Sequence, residues 1–575
     1  MLRLLRFITP YRPTLALVLA LAFLQSLANL YLPRLMADIV DVGIVQGDTG
    51  YIFRVGASML AIAIAGTACA VVGSFFSARV ATGFGRIIRE QIFTHVENFS
   101  LHEFDTFSTA SLITRTTNDP TQIQQVLTMI LNMTITAPMM IIGGIVLAFT
   151  QDATLTLVLV AAMPFVVALF LIVMRNAIPL FQMMQVKIDK LNLILDEALG
   201  GVRVIRAFDR GAHEDRRFDL ANLDLTNTAV SVNRLVAFLL PGMMLTLNLT
   251  SVAILWFGSM RVDGGYMPIG SLIAFLQYAT FILFAVLMVS VMFIMLPRAA
   301  ASATRINEVL DVTADITDPP QPRPAGAQQG YVEFDGVTFS YPGAEEAALE
   351  EVSFAARPGE VTAIIGGTGS GKTTLVSLIP RFYDVQRGRI LVDGVDVRDM
   401  RQADLRAKIG FVPQKAVLFS GAIADNVRYG KADALPAELQ HALDVAQAAD
   451  FVAEMPDGPE SVIAQGGINL SGGQKQRLSI ARALVKRPEI YIFDDSFSAL
   501  DFATDARLRA ALKAETTGAT VFLVSQRVGT IMDADRIIVL DEGRVVGIGK
   551  HGDLLGTCPV YREIVESQIS LQEAS

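Results

Sequence analysis

Val361-Thr362-Ala363-Ile364-Ile365-Gly366-Gly367-Thr368-Gly369-Ser370-Gly371-Lys372-Thr373-Thr374 decides how this chain is read. Its first five residues form an apolar, β-branched run of strand length, and a helical pattern follows from Thr374. Between strand and helix stands the spacing G-x-x-x-x-G-K-[ST], from Gly366 to Thr373. Glycines at these places let backbone N–H groups close around phosphate oxygens. The lysine reaches the β- and γ-phosphates, and the hydroxyl of Thr373 ligates Mg²⁺. The free N–H groups and dipole of the helix that follows favour an anion at the same point. Alone, the stretch therefore predicts a nucleotide site with Mg²⁺.

Other stretches extend this reading. From Tyr331 onward, short β-rich runs (Tyr491–Phe493, Thr520–Val524, Arg536–Leu540) alternate with helical patterns, as in an α/β domain with a parallel sheet. The run Ile490-Tyr491-Ile492-Phe493 ends in Asp494, a strand-end carboxylate placed to support Mg²⁺. Leu470-Ser471-Gly472-Gly473-Gln474 opens another helix and offers a serine hydroxyl and glycine N–H groups to a second phosphate. One domain cannot fold that surface onto its own phosphate loop. In this order the motifs resemble the ATPase of ATP-binding cassette (ABC) transporters. The resemblance implies that Gln414, in Phe411-Val412-Pro413-Gln414, senses the γ-phosphate and Mg²⁺, and that Tyr341 stacks on adenine. It further implies that two such domains pair head to tail. One ATP then lies on Lys372 and the partner's signature, and the other on the partner's loop and Ser471/Gly473 of this chain. Ser498-Ala499-Leu500-Asp501 matches the loop that crosses this dimer interface.

The chain has 575 residues, 52% hydrophobic and 18% charged, with a mean hydropathy of +0.46. That is too apolar for a fully soluble enzyme and too charged for membrane protein throughout. A net charge of −9 gives no support for nucleic-acid binding. Two cysteines and five scattered histidines indicate neither a disulfide framework nor a metal cluster. Six apolar stretches lie near 14–36, 55–79, 127–149, 153–174, 236–258 and 271–296. Each meets the roughly 20 residues that a helix needs to cross a bilayer. The third and fourth are separated only by Thr150-Gln151-Asp152, which predicts a tight hairpin.

The segments after spans one, three and five carry only Arg54 and Arg261, whereas the opposite side is rich in arginine and lysine. Both termini, the long loops and the ATPase are therefore expected in the cytoplasm. Cytoplasmic segments 80–126 and 175–235 read as long helical hairpins. Their breaks are expected at Phe104–Ser108 through Asn118-Asp119-Pro120, and at Gly200–Phe208. The resemblance makes these turns coupling helices that dock on the ATPase. The expected organisation is an all-α transmembrane domain of six helices (1–310), a Pro/Gly-rich linker (311–330) and an α/β P-loop ABC nucleotide-binding domain (331–575).

Two residues depart from the family's pattern. Asp495 stands where a catalytic glutamate is usual, and Gln526 stands where a histidine is usual. Aspartate is one methylene shorter, which sets its carboxylate roughly 1.5 Å back from an attacking water. Glutamine donates a hydrogen bond to a phosphate but carries no proton or charge. Gln465 also replaces a glutamate common just upstream of the signature. Both departures fall on the Lys372 side, while the signature is intact. The pattern resembles one half of bacterial heterodimeric ABC exporters, in which one ATP site is degenerate and the other competent.

That reading places the chain in a bacterial plasma (inner) membrane, paired with a second half-transporter. It expels amphipathic drugs or lipid-like compounds by alternating access. No charge lies in the middle of a span, which argues against ion coupling. Phe281, Phe284, Met288, Met292 and Met295 recur at helical spacing and offer either an adaptable ligand surface or plain helix packing. A homodimeric lipid or peptide exporter, an exporter-like siderophore importer and an ATP-gated regulatory subunit are the other readings.

Overall fold

The computed structural model of the chain describes residues 2–324, 326 and 329–573. Ala325, Ala327 and Gln328 of the expected linker lie outside the described residues, as do Met1, Ala574 and Ser575. The chain divides into two compact units. One comprises Met1–Glu97 with Thr109–Val312, and the other Asn98–Ser108 with Thr313–Ser575.

Apolar composition makes the first unit helical throughout. A 3-10 segment, Leu2–Tyr11, leads into α1 (Arg12–Asp38). Next come α2 (Thr49–Glu97), α3 (Leu101–Phe107, which clusters with the second unit), α4 (Thr109–Pro138) and α5 (Gly144–Gln151). They are followed by α6 (Ala153–Gly200), α7 (Val202–Ala207), α8 (Gly211–Ala237), α9 (Leu239–Asp263) and α10 (Ile269–Leu310). Six helical stretches among the described residues are long and apolar enough to cross a membrane. They run well past the hydrocarbon-spanning length; α2 has 49 residues and α6 has 48. Pro164 and Pro179 sit inside α6 without ending it, as neighbouring helices allow in membrane bundles.

The hairpin between the third and fourth spans is tighter than expected. Thr150 and Gln151 remain helical, and Asp152 alone makes the break. Its carboxylate caps α6 by accepting the Leu155 N–H at 2.7 Å, and it also pairs with Arg261 of α9.

The first of the two expected helical-hairpin breaks also needs correction. It lies at Asn98–Ser108 rather than extending to Pro120, because Asn118-Asp119-Pro120 is inside α4. Asp119 is buried and held by Arg305 of α10, so packing overrides a local turn signal. The true start signal is Ser100-Leu-His-Glu103, a capping box in which Glu103 accepts the Ser100 N–H at 2.6 Å. The second break falls where expected, with Gly201 ending α6 and α7 completing the turn. None of the α7 side chains is buried.

In the second unit, buried β-branched runs assemble a six-stranded sheet. Its order is Arg544–Gly549, Arg536–Asp541, Val361–Gly366, Thr520–Val524, Ile490–Asp494 and Ile409–Val412. All neighbours are parallel except the first pair. The central strands are buried almost throughout, which explains their unbroken apolar sequence. A second, antiparallel sheet is built on Val332–Phe339, Leu349–Ala356 and Arg387–Val392, with the short strand Val395–Asp396 at its edge. Crossovers on a parallel sheet leave a crevice at the carboxyl ends of the strands. The candidate site occupies that crevice.

Candidate functional site

Three parallel strands deliver the site. Val361–Gly366 ends in the glycine loop, Ile490–Asp494 ends in a carboxylate, and Thr520–Val524 leads to Gln526. The phosphate-loop helix begins at Lys372, two residues before the expected Thr374. Gly371 takes its N-cap position at φ +96°. A side chain there would be strained, and its Cβ would lie 2.7 Å from the Ala348 carbonyl. No side chain caps this helix, so its first N–H groups face the crevice without an internal acceptor.

Lys372 is 8% exposed. Its Nζ donates to the carbonyls of Gly366 at 3.0 Å and Gly367 at 2.7 Å. Burial pushes its pKa down, against the pull of Asp495 and Asp494. The Thr373 hydroxyl donates to Asp494 at 3.0 Å. Asp494 is 2% exposed, and burial raises its pKa while the Thr373 bond opposes the shift. A buried carboxylate beside a hydroxyl is an oxygen donor pair suited to a hard divalent cation. The uncapped helix N-terminus and the Lys372 ammonium offer donors to phosphate oxygens. The residues present thus fit both ATP and Mg²⁺.

Lys372, Thr373 and Asp494 line a crevice of about 360 Å³ with Tyr341, Thr368, Gly369 and Thr374. Tyr341 donates or accepts a 2.9 Å hydrogen bond with Thr374 and is braced edge-on by Phe339 and Tyr383. On the far wall stand Gln414, Asp495 and Gln526. Both glutamines aim at one carboxylate oxygen of Asp495, Gln414 Nε2 at 3.5 Å and Gln526 Nε2 at 3.4 Å. Asp495 itself has φ +46°, a left-handed conformation that aspartate tolerates better than most residues. Its N–H donates to the Val524 carbonyl at 3.1 Å. Burial raises its pKa, and Gln414, Lys372 and Arg527 oppose that shift.

The structure does not bring the signature to this crevice. Ser471 caps the helix Gly472–Leu484, accepting the Gln474 N–H at 3.2 Å. Gln474 returns the bond by accepting the Ser471 N–H at 2.8 Å. Ser471 and Gly472 are exposed, and a Cβ on Gly472 would meet nothing. Asp501 is likewise outside the crevice. It caps the helix Phe502–Glu515 through the Thr504 N–H at 2.9 Å, which lowers its pKa.

One residue that the sequence reading missed joins the two regions. Arg527 donates to the Ser498 carbonyl at 3.0 Å and lies over the Phe502 ring. It thereby braces the Ser498–Asp501 loop against the Gln526 loop. Its position directly after Gln526 was visible, but its partner lies 29 positions away in sequence.

Comparison with known proteins gives the family. Residues 15–287 match the ABC transporter transmembrane region, and residues 349–498 match the ABC transporter family. An uncharacterized ABC transporter ATP-binding protein of Mycobacterium tuberculosis is 45% identical over 98% of this chain and 97% of its own length. An ATP-dependent lipid A-core flippase of Chromobacterium violaceum is 30% identical over 100% of this chain and 98% of its own. The structure of a bacterial Atm1-family ABC exporter with ATP bound matches with a TM-score of 0.81 and 26% identity, covering 97% of this chain and 98% of that one. A chain with six apolar membrane helices and an ABC ATPase, related over nearly its whole length to these proteins, belongs to the ABC transporter family and has the fold of its exporters.

Proposed function

We propose that this chain is one half of a heterodimeric ABC exporter, holding ATP at Lys372 with little hydrolysis there and completing a competent site in its partner through Ser471–Gln474. One observation carries this reading: the carboxylate of Asp495 sits between two neutral carboxamides, Gln414 and Gln526. Neither carboxamide can accept or relay a proton at this point. The carboxylate is also a methylene short of a glutamate's reach, and a misplaced general base costs about 10²–10⁴ in rate.

The remaining roles follow from the same site. Lys372, with loop residues Gly366–Gly371, holds the phosphates. Thr373, Asp494 and Gln414 would hold Mg²⁺, and Tyr341 would stack on adenine. When bound, Mg²⁺ neutralises phosphate charge. The protein's own part is to orient the nucleotide and fix the water's approach. Ser471, Gly472, Gly473 and Gln474 serve the partner's nucleotide, and Asp501 anchors the loop at that interface.

The cargo we assign is amphipathic or lipid-like, moved from the cytoplasmic side of a bacterial inner membrane, with both termini and the ATPase in the cytoplasm. The spans present exposed apolar side chains such as Phe284 and Met288, and a relative is named a lipid A-core flippase. Val204 and Phe208, in and beside α7, are 61% and 74% exposed. They supply an apolar surface for docking on an ATPase unit.

The test is restoration. Asp495→Glu with Gln526→His, in the reconstituted exporter, should raise hydrolysis of ATP bound at Lys372 by about 10–100-fold. The reading fails if turnover and nucleotide retention at that site stay as they are. It also fails if the chain alone, as a homodimer, transports as fast as the paired complex.

A further inference from the structure

The helix Pro559–Glu573 follows the last strand of the ATPase unit and lies outside every motif so far. Its first turns are fixed in the core. Tyr561 is fully buried and shares a 2.7 Å hydrogen bond with His551, and Val565 is 6% exposed. Residues at i, i+4 and i+7 share one helix face, so Gln568 continues the stripe begun by Tyr561 and Val565. Its carboxamide meets the loop after strand Thr520–Val524 at two points. Gln568 Nε2 donates to the Gln526 carbonyl at 2.6 Å, and Gln568 Oε1 accepts the Val528 N–H at 2.8 Å.

A side-chain amide has one donor and one acceptor side by side. Here it copies the pairing that a neighbouring strand would give. The carbonyl of Gln526 and the N–H of Val528 flank Arg527, so the bracket fixes the whole Gln526–Val528 turn. From the other side, Ser525 is buried and its Oγ accepts the Arg527 N–H at 3.0 Å. Of these two supports, Ser525 is local, while Gln568 comes from 40 positions further along the chain. The Gln526 side chain, on this turn, reaches into the crevice toward Asp495.

We propose that Gln568 is a positioning residue for the Gln526 turn, through which the C-terminal helix sets how well the Lys372 site distinguishes ATP from ADP. The proposal rests on the reading that Lys372 holds ATP and that Gln526 faces its γ-phosphate. The γ-phosphate is the part of ATP that ADP lacks. A turn released from its bracket therefore weakens the contact that only ATP makes. The phosphate loop, Thr373 and Tyr341 are untouched and continue to hold ADP.

The test is nucleotide affinity of the purified full-length chain, measured with radiolabelled MgATP and MgADP on ice. Gln568→Met keeps the side chain's length and removes both hydrogen bonds. It should weaken MgATP binding about tenfold, the scale of losing one hydrogen bond to a charged phosphate, and leave MgADP binding at the wild-type value. Gln568→Glu keeps the acceptor for Val528 but sets an oxygen against the Gln526 carbonyl. It should weaken MgATP binding at least as much as Gln568→Met. Wild-type affinities for both nucleotides in either variant overturn the proposal. An equal loss of both overturns it as well, since that outcome marks a general structural role. A hydrolytically competent Lys372 site would remove the degenerate-site reading and leave this ATP/ADP split intact, so the two ideas fail separately.

Discussion

The phosphate-loop side and the signature side of the ATPase unit both use a helix N-terminus, and they differ in what closes it. At Lys372 the helix has no side-chain cap, Lys372 and Asp494 are buried, and Asp495 is half-buried. Burial moves the pKa of Lys372 down and those of Asp494 and Asp495 up. At Ser471 the cap is complete, with Ser471 and Gln474 satisfying each other, and the surface is exposed. The first region is an interior whose charges are tense from desolvation. The second is a finished surface whose glycines keep it flat for something that arrives from outside. Both chemical departures, Asp495 and Gln526, fall in the first.

Placing a bulky cation on the signature should break this comparison most severely. In the reconstituted exporter, Ser471→Arg should lower ATP turnover by about 10²–10³-fold, the scale of losing a key phosphate-facing donor. Lys372→Ala should cost distinctly less, because the proposed asymmetric pair has its competent site on the partner's loop. Equal losses from the two substitutions would show that the two sides work symmetrically. The Asp495→Glu, Gln526→His restoration comes next in size. It sharpens the contrast by asking whether the Lys372 side is limited by these two residues alone.

The two regions were also unequally legible. The strand–loop–helix of Val361–Thr374 and the strand end at Asp494 could be read because glycine spacing and an apolar run are local signals. The Thr373–Asp494 bond follows once both strands lie in one sheet. The six membrane helices were readable for the same reason. Asn118-Asp119-Pro120 misled because a turn-forming tripeptide says nothing about Arg305, far along the chain, which holds Asp119 in a helix. The signal that was missed, Ser100 with Glu103, was local and in plain view. Arg527 and Gln568 were not readable, since each acts on backbone atoms far away in sequence. Backbone partners leave no residue-type signature.

Tyr341 gives a smaller effect. Its ring is held by Thr374, Phe339 and Tyr383, so it is set in place before any ligand arrives. Base–aromatic stacking is worth about 1–3 kcal/mol. Tyr341→Ala should therefore weaken MgATP and MgADP together by about tenfold, and Tyr341→Phe should recover most of the loss. The signature surface has no such aromatic role, and its variants should leave binding at Lys372 unchanged in an equilibrium assay.

The smallest effect is electrostatic and separates the two regions by sign. Asp494 and Asp495 have raised pKa values, so the folded state binds their protons more tightly than the unfolded chain does. Stability then falls as pH rises from the ordinary carboxylate value of about 3.9 through the raised values. Asp501, beside the signature, has a lowered pKa. Its contribution is present above the ordinary value and is lost as pH falls through its folded pKa. Thermal unfolding of the nucleotide-free protein across the acid range should reveal both trends. Asp495→Asn should flatten the decline toward neutral pH by on the order of 1 kcal/mol or less, given partial exposure to solvent. Asp501→Asn should act only on the acid side. If Asp495→Asn leaves the slope untouched, its carboxylate is better solvated than the crevice implies. The contrast between a tense interior and a finished surface would then rest on Lys372 and Asp494 alone.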